Sequence, residues 1–300
     1  MLYSSKTPAE KRVALRQALA GPGLVRFPGA FNPLSARLIE SKGFEGVYVS
    51  GAVISADLGL PDIGLTTLTE VATRAGQIAR MTDLPSLVDA DTGFGEPLNA
   101  ARTVQTLEDA GLAGMHLEDQ VNPKRCGHLD GKSVVDLDTA VNRIKAAVDA
   151  RRDANFVVMA RTDMRAVEGF AAAVDRAKAL VDAGADAVFP EALEGLAEFE
   201  AMAEALDVPI LANMTEFGKG RLHTQDELRD AGVRMVIYPV TLLRLAMGEA
   251  ERGLDEIIAS GTQEALLDRM QHRRDLYDLI DYEGYSQFDD TVAGFTVTKE

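Results

Sequence analysis

Only one cysteine, Cys126, occurs among the 300 residues. An internal disulfide is therefore excluded, and the chain fits a reducing compartment. No run dense in Lys and Arg interrupts a net charge of −16. A nucleic-acid binder shows a basic face, whereas this acidic balance suits a protein that handles small molecules. No apolar run approaches the ~20 residues that cross a bilayer. The first twenty residues lack the apolar core of a secretion signal and read as a short amphipathic helix. On these grounds the sequence reads as cytoplasmic, with neither nucleic acid nor membrane as a partner. Also missing are a His/Cys cluster at zinc spacing and a glycine-rich phosphate turn after the first strand. Gly93 and Gly95 form no P-loop, because no Lys-Ser/Thr follows them. "NMT" at 213–215 matches a glycosylation sequon, but nothing in the sequence points to secretion.

What is present is repetition. Hydrophobic residues make up 46% of the chain, ample for a full-sized core. Short, nearly continuous apolar runs predict eight strands at 24–27, 46–49, 86–88, 114–117, 156–160, 187–189, 209–212 and 235–238. Continuous apolar character is expected of strands covered on both faces. Helical periodicity lies between them, as at Leu68, Val71, Ala75 and Ile78, and again at Val167, Phe170, Val174, Ala177 and Val181. Thr67 and Glu70 have capping-box spacing, and Pro97 suits a first helical turn. Helical patterns ending in Gly43, Gly111, Gly184 and Gly232 lead directly into apolar runs, so these glycines predict left-handed helix ends. A βα unit repeated eight times predicts a (β/α)8 TIM barrel; a doubly wound open sheet is the alternative. The expected organisation is a single barrel domain over 1–300. A helix at 1–20 precedes the barrel, and a helical extension follows from about 242 to 300. That extension is longer than one barrel helix requires and is expected to pack on a partner subunit or across the barrel face.

In such a barrel the reacting groups gather where the strands end. The polar residues found there are Tyr48, Ser50 and Gly51, then Asp89 and Asp91, His116 and Glu118, Arg161 and Asp163, Glu191, and Asn213 with Thr215. Asp89 and Asp91 in "VDADTGFG" lie two apart in an extended segment and so face one side. Two carboxylates that close are unfavourable unless protonated or matched by a cation. Oxygen-only ligands favour Mg2+, with Asp62 and Glu118 holding its waters; the alternative is a pair of loop aspartates capping the helix at Pro97. In "NPKRCGHLDGK" the thiol lies in a polar loop beside Lys124, Arg125 and His128. Neighbouring cations lower a thiol's pKa and make it a better proton shuttle or nucleophile. They also suit a multiply charged carboxylate substrate. Gly127 and Gly131 would let the loop close. His128 either tunes Cys126 or only bonds within the loop.

The chain resembles the isocitrate lyase/phosphoenolpyruvate mutase superfamily over nearly its whole length. The resemblance is carried by "YVSGA", "LGLPDIG", "VDADTGFG", "HLEDQVNPKRCGH", "ARTD", "FPEA", "NMTEF" and the arginines of "LLRLA" and "QHRRDLY". Lys-Arg-Cys-Gly-His points to the methylisocitrate branch. The implied reaction is cleavage of 2-methylisocitrate to pyruvate and succinate, within propionate catabolism by the methylcitrate cycle. The branch alternatives are isocitrate cleavage and the phosphonomutase or oxaloacetate-type chemistries, whose enzymes lack the cysteine loop. The resemblance implies Mg2+ on Asp89 and Asp91, with Asp62 and Glu118 acting through water. It implies substrate contacts from Ser50, Gly51, Ala52, Gly127, Arg161, Glu191, Asn213, Thr215, Arg244 and Arg273. Ala52 departs from a common glycine there. Cys126 is the expected acid and Tyr48 the candidate base, with Lys124, Arg125 and His128 as catalytic neighbours. Phe189, Ile237 and Pro239 are the expected wall for the substrate's methyl group. A homotetramer with exchanged C-terminal helices is also implied.

Overall fold

In the computed structural model the described residues are 4–125, 127, 131–218 and 220–294. Eight strands alternate with helices: β1 (Val25–Pro28), β2 (Val47–Val49), β3 (Ser86–Asp89), β4 (Gly114–Glu118), β5 (Val157–Thr162), β6 (Ala187–Pro190), β7 (Leu211–Asn213) and β8 (Met235–Tyr238). All the pairings are parallel. β2 to β6 pair in sequence order, and β8 lies between β1 and β7. Single bridges join the two runs, Gly29 to Tyr48 at one seam and Val188 to Ile210 at the other. The sheet therefore closes, and the TIM-barrel expectation holds. The open-sheet alternative does not.

The expected strand boundaries fall within two residues of the observed ones. β4 and β5 run further than their apolar stretches, to Glu118 and Thr162, because ladder bonds between neighbouring strands carry the backbone past the last apolar side chain. Capping chemistry is also as read. Thr67 and Glu70 form a reciprocal capping box, and Pro97 opens its helix. The four helix-ending glycines have φ of +76, +87, +103 and +82°, where a side chain would be strained.

Alternation along the strands builds the interior in layers. Phe27, Tyr48, Leu87, Val157, Met159, Phe189, Leu211, Met235 and Ile237 pack as one cluster inside the barrel. Two residues further along the same strands stand Asp89, Arg161, Glu191 and Asn213. A floor of apolar side chains thus carries a layer of polar ones at the carboxyl ends. The helix Pro8–Ala20, capped by Thr7 and Glu10, closes the other end. Its Leu15 and Leu19 enter the interior cluster, and Arg12 and Arg16 bond the carbonyls of Leu112 and Phe156.

The extension expected over about 242–300 is helical but interrupted. It consists of Thr241–Ser260, a 3-10 turn Glu264–Arg269, Arg273–Leu279 and Tyr282–Ala293, with Gly261 left-handed at the first break. None of these three α-helices buries a residue. The extension still touches its own barrel, where Leu242 packs on the core and the Leu279 carbonyl accepts from Arg37.

Candidate active site at the carboxyl ends of the strands

The centre of the mouth is Arg161. Register places it opposite Glu118 on β4. Its guanidinium reaches Glu118 at 3.3 Å, Asp163 at 3.1 Å and Glu191 at 3.3 Å. It also lies over the Phe189 ring at 5.1 Å. Burial alone would lower its pKa, but Asp163, Glu118 and Glu191 raise it well above the usual value, so it stays cationic. Asn213 donates to Glu191 at 3.4 Å. Gly127, from the loop that carries the thiol, packs directly on this group. A Cβ there would lie 2.5 Å from both Arg161 Nη2 and Glu191 Oε2, so only glycine allows that approach.

The paired aspartates do converge. A Cβ on Gly51 would lie 2.9 Å from Asp89 Oδ2 and 3.3 Å from Asp91 Oδ1, so both carboxylates border one small space. Asp91 reaches it with a left-handed backbone, φ +46°, and its amide donates to Asp89 Oδ1 at 3.0 Å. Their environments push them apart. Burial, then the charge of Asp89, raises Asp91 to about 6. Burial would also raise Asp89, but the adjacent His116 ring and the positive charges of Lys124 and Arg161 hold it at about 2. Thr66 donates to Asp91 at 3.4 Å. Lys124, only 3% exposed, pairs with Asp62 and, at 2.8 Å, with Asp91. Glu118 faces the same mouth. Neither of its oxygens accepts a hydrogen bond, and burial pushes its carboxyl well above the usual range.

These donors fit a hard cation. Asp91 Oδ1 and both Glu118 oxygens are buried acceptors without a hydrogen-bond donor. Leaving them so is costly unless something positive or hydrated satisfies them. Among the described residues no three His, Cys, Asp or Glu side chains converge as a ligand set. Two carboxylates with water completing the shell is the Mg2+ pattern.

Tyr48 is 2% exposed, and its hydroxyl lies 2.7 Å from His116 Nε2. Burial, then the charge of Asp89, raises the phenol well above 10. The low-polarity site and the adjacent carboxylate favour the protonated phenol, so a candidate base at Tyr48 would have to pass its own proton on as it accepts another. His116 is fully buried, and burial lowers it to about 4, so its ring is neutral and Nε2 can accept from Tyr48. Its Nδ1 faces Asp89 at 3.8 Å. Sequence reasoning saw His116 only as a strand-end residue. Its period-two position below Glu118 was the signal that it points inward.

Other expected residues lie further out. Ser50 is buried, and Ala52 is half-buried in the helix that follows β2. Thr215 and Arg244 meet at 3.5 Å, with Arg244 held to Glu216 at 2.7 Å. Ile237 belongs to the floor with Phe189, and the Pro239 carbonyl packs against Gly29. Two of the expected residues lie at the surface. Arg125 is exposed and is tied through its backbone to Gln120. Its guanidinium passes Gly131. Arg273 lies on an exposed helix beside His272, with nothing to seat it at this chain's mouth. Cys126 and His128 lie outside the described residues. Lys132, not singled out from sequence, is buried where it pairs with Asp163 at 2.6 Å and donates to the Gly127 carbonyl.

Comparison with known proteins agrees with this architecture. Residues 15–258 match the family described as phosphoenolpyruvate phosphomutase. The chain is 63% identical to a probable 2-methylisocitrate lyase 2 of Corynebacterium glutamicum, covering 99% of this chain and 96% of the relative. It is 47% identical to a 2-methylisocitrate lyase of Aeropyrum pernix, covering 98% and 95%. Among solved structures, an oxaloacetate acetylhydrolase with 3,3-difluorooxalacetate superposes with TM-score 0.91 at 33% identity, covering 97% of this chain and 100% of that one. A phosphonopyruvate hydrolase complexed with oxalate and Mg++ gives 0.84 at 28% identity, covering 97% and 99%. The chain belongs to the phosphoenolpyruvate phosphomutase family and groups within it with the 2-methylisocitrate lyases.

Proposed function

We propose that this protein is a carbon–carbon lyase that cleaves 2-methylisocitrate to pyruvate and succinate, the step expected of it in propionate catabolism. The observation that carries the reading is the docking of the Lys-Arg-Cys-Gly-His loop. Its Lys124 meets Asp91, and its Gly127 rests on Arg161 and Glu191. Lys124 and Gly127, two described residues of the segment that distinguishes the lyases from the phosphonate enzymes, thus touch both halves of the polar mouth.

Mg2+ on Asp89 and Asp91, with Asp62 and Glu118 acting through water, would supply Lewis-acid stabilisation of the oxo-acid product's oxygens. The chain's own residues do the rest. Arg161, with Glu191 and Asn213 around it, holds the carboxylate that becomes part of succinate. Ser50, Gly51, Ala52, Thr215 and Arg244 line the path outward, and Phe189 and Ile237 form the apolar floor beneath the methyl group. Cleavage begins with loss of the substrate's hydroxyl proton. Tyr48 accepts it on its oxygen while passing its own proton to His116 Nε2, so no free phenolate forms. The carbon–carbon electron pair remains on the succinate carbon, and Cys126 protonates that carbon from its thiol. His128 and Arg125 would act through that loop.

We further propose a cytoplasmic homotetramer of single-domain chains, each with its N-terminal helix and C-terminal helical extension. The single cysteine supports the reducing compartment. No helix among the described residues is long and apolar enough to cross a membrane. Leu245, Leu254, Ile258 and Phe288, each more than 60% exposed on the extension, support subunit exchange, and a neighbouring copy would give Arg273 a mouth to serve.

Purified protein with Mg2+ should form pyruvate and succinate from 2-methylisocitrate, and a chelator should stop it. Glyoxylate formed faster from isocitrate would reassign the substrate. Cys126→Ser should fold normally and lose about 10²-fold or more in kcat. Near-normal turnover would remove the thiol from the mechanism.

A further inference from the structure

Lys124, expected as a catalytic neighbour of the thiol, is seated directly against the candidate metal carboxylates. Its ammonium is drawn by four carboxylates, Asp91, Asp89, Glu118 and Asp62. It lies 2.8 Å from Asp91 Oδ1. The contact places a positive charge on that oxygen. The same oxygen borders the space next to Gly51 that Asp89 Oδ2 also faces. It is thus the Asp91 oxygen best placed to ligate a cation there. A Mg2+-oxygen bond is about 2.0–2.1 Å long. The Lys124 ammonium, 2.8 Å from that oxygen, would then sit beside a divalent ion in a site shielded from water, where repulsion is strong.

We propose that Lys124 is an internal competitor of the divalent cation: it holds Asp91 Oδ1 and must leave that oxygen when the cation binds. The inference rests on the metal site proposed above and concerns how tightly that site binds. Removing the ammonium should then tighten cation binding, although it also removes a partner of Asp62. A lysine that merely props the site open would have the opposite effect, since its loss would loosen the carboxylates and weaken binding.

The test is titration with Mn2+, followed by electron paramagnetic resonance, at a pH well above 6. Native protein, Lys124→Met, Lys124→Arg and Asp89→Asn are compared. Lys124→Met should bind Mn2+ at least tenfold more tightly than native protein, and Lys124→Arg should stay near native. Equal or weaker binding by Lys124→Met overturns the inference while leaving the metal site in place. If native protein itself binds no Mn2+ in excess of Asp89→Asn, the metal reading falls and this inference falls with it. Native protein provides a second measurement that needs no variant. Acetylation of Lys124, read by mass spectrometry, should rise when Mn2+ is added. Unchanged or deeper protection also overturns the competition.

Discussion

His116 and Tyr48 behave as a unit. The phenol is held protonated and the imidazole neutral, with one proton shared over 2.7 Å. Loss of either group should remove the same proton path. Tyr48→Phe and His116→Asn should each lower kcat by about 10²–10⁴-fold, and the double variant should be little worse than the poorer single one. Steady-state kinetics of the three variants checks this, and additive losses would separate the two residues. The aspartate pair makes a second prediction. Asp91 is raised to about 6 and Asp89 is lowered to about 2. A cation binds the ionised forms, so of the two aspartates it is Asp91 for which protons compete in the working range. Metal affinity should be flat above pH 6 and fall by up to about tenfold per unit below it. Calorimetric Mn2+ titration from pH 5 to 8 measures this, and an affinity that holds steady down to pH 5 would refute the assignment of Asp91.

At the scale of the element, the loop after β4 joins two charge systems. Lys124 faces Asp62 and Asp91, while Gly127 lies on Arg161 and Glu191. Lys132 fastens the far side to Asp163. Gly127 has no side chain because none fits. Gly127→Ala would push a methyl group against Arg161 and Glu191, which belong to β5 and the end of β6 and cannot withdraw without breaking strand register. The loop would be displaced instead. We expect kcat/KM to fall by at least about 10²-fold, since misplacement by ~1 Å has that cost. The unfolding midpoint should change little, because the barrel core is untouched. Paired kinetics and urea unfolding test this, and a large stability loss would mean that the loop is structural.

At the scale of the molecule, the C-terminal extension is where association between chains is expected. It exposes Leu254 at 62% and Ile258 at 84% on a helix with no buried residue. A 20-residue helix gains most of its stability from packing rather than propensity, and exposed apolar patches mark association surfaces. Light scattering should give a mass four times that of the chain. Leu254→Asp with Ile258→Asp should shift the protein to smaller species, and an unchanged mass would place the subunit contact elsewhere.

Local rules were enough to read much of this protein from its residues. Apolar runs, capping boxes and helix-ending glycines act over a few positions, so eight strands, their order and the barrel were legible. So was the list of polar groups at the strand ends, including Asp89, Arg161 and Glu191, because two-residue alternation places them above the core. What the sequence could not determine was partnership. Tyr48 and His116 are 68 positions apart, and Lys124 and Asp62 are 62 apart; only barrel closure brings them together. Burial then decided protonation, separating two aspartates that are chemically alike. It also seated Lys124 among carboxylates while leaving Arg125, one position on, in solvent. Charge pairing in a closed mouth depends on distance and desolvation across the whole fold, and neither is a property of any short stretch of chain.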